Sequence, residues 1–168
     1  ESHSPNRSSA SGANVTAFFL DSSAAAKMYV FETGSAWLTD LMDRENGHDF
    51  FVTRVTPVEI ASAIFRRVKA GTLSRDESLN ALENLRMDVT DFFQVVNITT
   101  ELSEVALDVA EKFALRGYDC VQLAASLLTQ RIRQTTRQTP LTFVSADLEL
   151  NAAARAEAFE VANPNDFP

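Results

Sequence analysis

Two hydrophobic patterns alternate along the chain: short apolar runs, and longer stretches in which apolar residues return at helical spacing. Residues 16–20 (TAFFL) form an apolar run that ends at Asp21, and Ser22-Ser23-Ala24-Ala25-Ala26-Lys27 behind it predicts a helix opening. Residues 50–53 (FFVT) repeat the arrangement. There, Thr56-Pro57-Val58-Glu59 predicts a helix with Pro at its first position that runs to about Ala70 and stops at Gly71. A short amphipathic helix is expected over 35–42. Ser74-Arg75-Asp76-Glu77 has the form of a capping box ahead of Leu79, Leu82, Leu85, Val89 and Phe92. Residues 94–98 (QVVNI) predict a third strand, and Leu102, Val105, Ala106, Val109, Ala110 and Phe113 trace one face of a helix ending at Gly117. A further helix follows directly, from Tyr118 to about Gln130, with 131–139 as a polar loop. Residues 141–144 (LTFV) predict a fourth strand, Asp147 leads into a short Ala-rich helix, and 159–162 (FEVA) predict a fifth strand.

Strands that alternate with helices and are apolar throughout imply a parallel sheet covered on both faces, because parallel neighbours need crossover connections. The expected class is therefore α/β: a three-layer fold with a central parallel sheet of about four to five strands flanked by helices. In such sheets ligands collect where strands end and helices begin. Asp21 lies directly after the first strand, Glu59 at the start of the helix after the second, and Asp147 three residues past Val144. Asp119 opens the helix at Tyr118, so four carboxylates can converge on one edge. Each also has a purely structural reading. Asp is a favoured N-cap, and Thr56-x-x-Glu59 itself has the form of a capping box.

Composition limits the picture further. A chain of 168 residues, 45% hydrophobic and 23% charged, fits one domain. Residues 1–14, polar and without apolar periodicity, read as a disordered or appended arm, leaving 15–168 as the domain. Cys120 is the only cysteine and no Cys/His cluster has zinc-ligand spacing, which favours a reducing, cytoplasmic setting. No apolar run reaches the roughly 18 to 20 residues of a membrane helix. The net charge of −8 argues against broad nucleic-acid binding unless some of those carboxylates hold divalent cations, which reverse the local field.

Carboxylate oxygens without His or Cys partners suit magnesium, with manganese as the alternative. Ions held there would activate a water and offset charge on a leaving oxygen, the chemistry of metal-assisted phosphodiester hydrolysis. A Ser/His/Asp set is not credible, since His3 lies in the arm and His48 in a polar Asn46-Gly47-His48-Asp49 turn. A phosphoacceptor receiver domain would need adjacent acids after the first strand and a late Lys, yet Asp21 is followed by serines and no Lys follows Lys112. A haloacid-dehalogenase-like phosphatase would need a second Asp where Ser23 stands.

These segments resemble the PIN-domain family and, within it, the VapC-like toxin ribonucleases of toxin–antitoxin pairs. Phe19-Leu20-Asp21-Ser22-Ser23-Ala24 is similar to the family's opening apolar-Asp-Thr/Ser-Ser motif, and residues 56–63 (TPVEIASA) to the segment carrying its glutamate. Residues 115–124 (LRGYDCVQLA) resemble its Tyr/Ala-Asp-Ala-x-His-Leu-Ala stretch, with Cys120 and Gln122 in place of the commoner Ala and His. Residues 143–150 (FVSADLEL) look like its closing Thr/Ser-x-Asp. The likeness spans about 17–164.

The resemblance implies a magnesium-dependent endoribonuclease in which Asp21 and Asp119 are the principal metal ligands. Glu59 and Asp147 would complete the site, and Ser23 and Ser145 would support it by hydrogen bonds. It also implies a homodimer held inactive by a small antitoxin, with the helices over 35–42 and 74–93 as possible interfaces if their apolar stripes are not core. A stand-alone PIN ribonuclease and a catalytically silent interaction module of the same fold remain the alternatives. Arg66, Arg67 and Lys69 are the first candidates for RNA phosphates, Arg66 sharing the face of Glu59; Arg131, Arg133 and Arg137 form a second cluster.

Overall fold

The computed structural model describes residues 16–167; the expected N-terminal arm, with His3, lies outside them. Five strands form one parallel sheet: β1 (Ala17–Leu20), β2 (Asp49–Thr53), β3 (Gln94–Val96), β4 (Leu141–Val144) and β5 (Glu160–Ala162), in the order β3-β2-β1-β4-β5. The helices are α1 (Ser22–Ala25), α2 (Ser35–Leu41), α3 (Thr56–Lys69), α4 (Arg75–Asp91), α5 (Thr100–Phe113), α6 (Gly117–Thr135) and α7 (Leu148–Ala156).

Side chains of β1 alternate between two cores, as the pleat requires. Ala17 and Phe19 join Phe143, Leu102, Leu123 and Leu150 under α5, α6 and α7. Phe18 and Leu20 join Phe50, Leu38, Ile60 and Leu85 under α1 to α4. The three-layer expectation therefore holds. The apolar stripes of α2 and α4, offered above as interfaces, supply Leu38, Ala81 and Leu85 to the second core.

The chain leaves β1 towards β2 and β3 on one side and returns to β4 and β5 on the other. The β1/β4 gap is thus the topological switch point, where a crevice opens at the carboxyl ends of the strands. Leu20 pairs with Val144, and the Asp21 amide continues the ladder by donating to the Val144 carbonyl at 3.1 Å. Asp21 and Ser145 consequently emerge side by side.

Several boundaries differ from expectation. The helix α5 ends at Phe113 because Ala114 adopts a left-handed conformation (φ 53°), so Gly117 starts α6 rather than stopping α5. The polar stretch read as a loop from Arg131 is helical through Thr135. Arg133 is buried there: it donates to the Thr139 carbonyl and hydroxyl at 2.7 and 2.9 Å and lies over the Phe51 ring. Its guanidinium folds the exit of α6 back towards β4, so Arg133 is a structural residue. In α3, Thr56 takes the first position and Pro57 the second. No helix among the described residues is long and apolar enough to cross a membrane.

Candidate active site

Asp21 caps the helix that begins at once after the central strand. Its Oδ1 accepts from the Ala24 amide at 2.9 Å and the Ser23 hydroxyl at 2.8 Å. The side chain is buried, and desolvation pushes its carboxyl up to about 6 even though Ala24, Ser23 and Ser145 pull the other way. Ser23 and Ser145 join the two loops at the switch point. Their hydroxyls stand 3.4 Å apart, the Ala146 amide donates to Ser23 and the Asp147 amide donates to Ser145. Asp147 caps α7 by accepting from the Glu149 and Leu150 amides with Oδ1. Its Oδ2 makes no hydrogen bond among the described residues.

Glu59 does not cap anything. The N-cap of α3 is Val55, without a side-chain hydrogen bond, and the Thr56 hydroxyl points instead to Thr53 and Gln122. The capping-box explanation of Glu59 thus fails, because Thr56 is inside the helix and not at its cap. The Glu59 Oε2 accepts from the Ser22 hydroxyl and from Gln122 Nε2 at 3.1 Å. Gln122 is buried and also donates to Ser22 at 2.9 Å and Thr56 at 3.0 Å, tying α6 to α1 and α3 beneath the site. The sequence placed Ser22 and Gln122 in family-like motifs, Gln122 where His is commoner, but assigned neither a role in holding Glu59. The signals that could have found that role are those motif positions, the adjacency of Ser22 to Asp21 and the place of Gln122 one helical turn past Asp119.

Asp119 sits in the first turn of α6, partly exposed. Burial raises its pKa most, with Asp147, Glu59 and Glu149 adding to the rise and Arg116 opposing it. Asp21, Glu59, Asp119 and Asp147 line one cleft of about 490 Å³, together with Ser22, Ser23, Gln122 and Arg116. Lys27, Glu32, Arg66 and Arg67 form another part of its wall. Of the basic candidates on α3, Arg66 and Arg67 therefore reach the cleft, while Lys69 is exposed and stands outside its wall.

The sequence of residues 18–156 matches the PIN domain. The chain belongs to the PIN domain family. Members of this family are generally nucleases. Among solved structures, this PIN domain is similar to PAE2754 from Pyrobaculum aerophilum (18% identity, TM-score 0.60, covering 91% of this chain and 86% of that one). It is also similar to FitAcB from Neisseria gonorrhoeae (15% identity, TM-score 0.58, 88% of this chain and 97% of that one). A toxin–antitoxin complex from Klebsiella pneumoniae is a third (13% identity, TM-score 0.53, 88% and 97%). A search of curated proteins gives no match.

Whether this PIN site suits a divalent cation is decided by its donors. All are oxygens: four carboxylates and the serine hydroxyls between them, without thiol or imidazole. Burial first, and then repulsion from Asp147, Glu59 and Glu149, raises the Asp119 pKa against the pull of Arg116, so the site carries carboxylate charge that a cation would offset. No three acidic, His or Cys side chains among the described residues are grouped tightly enough to enclose an ion. Hard oxygen donors of this kind suit a divalent cation that keeps part of its water shell. The set fits.

Proposed function

We propose that this PIN domain is a magnesium-dependent endoribonuclease, able to use manganese, and the toxin of a type II toxin–antitoxin pair. The observation that carries the nuclease reading is the meeting of Asp21, Glu59, Asp119 and Asp147, from four separate elements, in one cleft at the switch point of a parallel sheet. The toxin assignment draws on the likeness to the Klebsiella pneumoniae complex and on the motifs of the VapC-like proteins. A small antitoxin protein, a homodimeric assembly and a cytoplasmic location belong to the same proposal.

Asp21 and Asp119 are assigned as the principal ligands, with Glu59 and Asp147 completing the set. When bound, the ion supplies a water of lowered pKa and offsets charge on the leaving oxygen. The remaining work falls to the chain. Ser23 and the Ala24 amide fix the Asp21 carboxylate, and the helix cap fixes Asp147 with Oδ2 free to face the cleft. Gln122 and Ser22 hold Glu59 in place, so its orientation is preset before substrate arrives. Arg66 and Arg67, with Lys69 one turn farther out on α3, meet the phosphates of the strand.

The purified protein is expected to cleave single-stranded RNA in magnesium or manganese and to stop when the metal is chelated. Asp119→Asn and Asp21→Asn should each abolish cleavage while leaving the far-ultraviolet circular dichroism unchanged. Undiminished cleavage by both variants would overturn the assignment. A small DNA-binding protein encoded beside this chain, and able to block cleavage when added, would establish the toxin; cleavage unaffected by that neighbour would favour a stand-alone enzyme.

A further inference from the structure

The cleft has a basic wall whose charges are already engaged by an internal anion. Lys27 is only 5% exposed, and its ammonium donates to Glu32 Oε1 at 2.7 Å and to the Thr33 carbonyl at 2.9 Å. Arg67, in the last turn of α3, donates to Oε2 of the same carboxylate. Glu32 thus spans an ammonium and a guanidinium with its two oxygens, the geometry by which two non-bridging oxygens of a phosphate would be held. Arg66 also lines the cleft, and its guanidinium donates only to the Ser62 hydroxyl among the described residues.

These placements explain why the carboxylate is there. A buried ammonium without an anionic partner is costly, so Lys27 needs an acid in the free protein. Glu32 meets that need from the loop between α1 and α2, and at 36% exposure it keeps a side open to solvent. Two cations on one carboxylate, with Arg66 beside them, leave a positive excess on a chain whose net charge is −8. A phosphate held there would satisfy the same donors in place of Glu32, whose side chain already keeps one side open to solvent.

We propose that Lys27, Arg66 and Arg67 form a subsite for a backbone phosphate of the RNA strand, adjoining the acidic site, and that Glu32 is its built-in substitute, displaced when the strand binds. The inference rests on the nuclease reading of the four acids. Glu32 then sets RNA affinity below what the cations alone would provide.

The test is binding of a short fluorescent single-stranded RNA to the full chain in metal-free buffer, with affinity followed against salt. Glu32→Gln keeps one acceptor for Lys27 but removes the competing charge, and is expected to tighten binding roughly three- to tenfold. Glu32→Asp keeps the charge but cannot reach both cations, and should fall between that variant and the native chain. Arg67→Gln should weaken binding and lower the slope of log affinity against log salt by about 0.7, the share of one phosphate contact on a single strand. If Glu32→Gln and Glu32→Asp both remain folded at the assay temperature, as judged by far-ultraviolet circular dichroism, and bind no tighter than the native chain, the subsite is wrong. Magnesium-dependent cleavage by the native chain, measured alongside, separates the two ideas. Cleavage without tighter binding in the variants sinks the subsite alone, whereas tighter binding without cleavage supports the subsite and sinks the nuclease reading.

Discussion

Replacing Asp21 by Asn should stabilise the metal-free protein while destroying its activity. In the folded chain the Asp21 carboxyl is buried and its pKa stands at about 6 against an ordinary 3.8. The folded state therefore holds this proton more tightly than the unfolded chain does. Below about pH 3 both states are protonated and the site costs nothing; above about pH 7 both are ionised and the folded state bears the full cost of a desolvated charge. At roughly 1.4 kcal/mol for each pH unit, that cost is about 3 kcal/mol. Asn stays neutral throughout. Its oxygen can still accept from the Ala24 amide, and its amide nitrogen can turn to the Ser23 oxygen that Oδ2 now faces at 3.0 Å. Urea unfolding of both proteins in metal-free buffer, from about pH 3 to about pH 8, isolates the effect, because Asp119 and other groups titrate in both. The stability of Asp21→Asn relative to the native protein should climb by about 3 kcal/mol as pH rises through this window, and added magnesium should close the gap by stabilising only the native protein. A difference that stays flat to within about 0.5 kcal/mol would refute the reasoning, since it would mean that the Asp21 carboxylate is ionised in the folded state at no cost.

Gln122→Met removes the donor that holds Glu59, Ser22 and Thr56, and should cost about 1 to 3 kcal/mol in thermal unfolding with a loss of turnover larger than any loss of RNA affinity. Arg133→Met should destabilise the fold by a similar amount in urea unfolding, through its Thr139 and Asp49 contacts, yet leave RNA affinity unchanged, in contrast to Arg67→Gln. Gly34 has φ +86°, and a Cβ there would stand 2.3 Å from the Pro164 carbonyl oxygen. Gly34→Ala is therefore expected to lower the urea midpoint by the equivalent of about 1 to 3 kcal/mol, and because the Glu32 loop is anchored beside it, to loosen the Lys27 contact as well.

The fold class, the parallel sheet and the four acids were all legible in the order of residues. Apolar runs and helical periodicities are local, and an acid that follows a strand or opens a helix declares its edge of the sheet without any knowledge of neighbours. Element ends were less legible. The stop after Phe113 depends on Ala114 accepting a left-handed backbone, and the extension of α6 to Thr135 depends on Arg133 finding Thr139 and Phe51, contacts that polarity alone does not announce. Glu59 shows the same division most clearly. Its spacing from Thr56 matches a capping box, and only the packed structure turns Thr56 inward to Thr53 and Gln122 and leaves Glu59 facing Ser22. The pairing of Lys27 and Arg67 on Glu32 likewise joins residues 35 positions apart through an exposed loop. By itself, then, the sequence determined that four carboxylates reach one edge of a parallel sheet, because strand and helix registers carry that information locally. The tertiary structure alone decided what holds Glu59 and that Arg66 and Arg67 share the cleft, because Ser22, Gln122 and the two arginines come from α1, α6 and α3, which meet only when both cores close around the sheet.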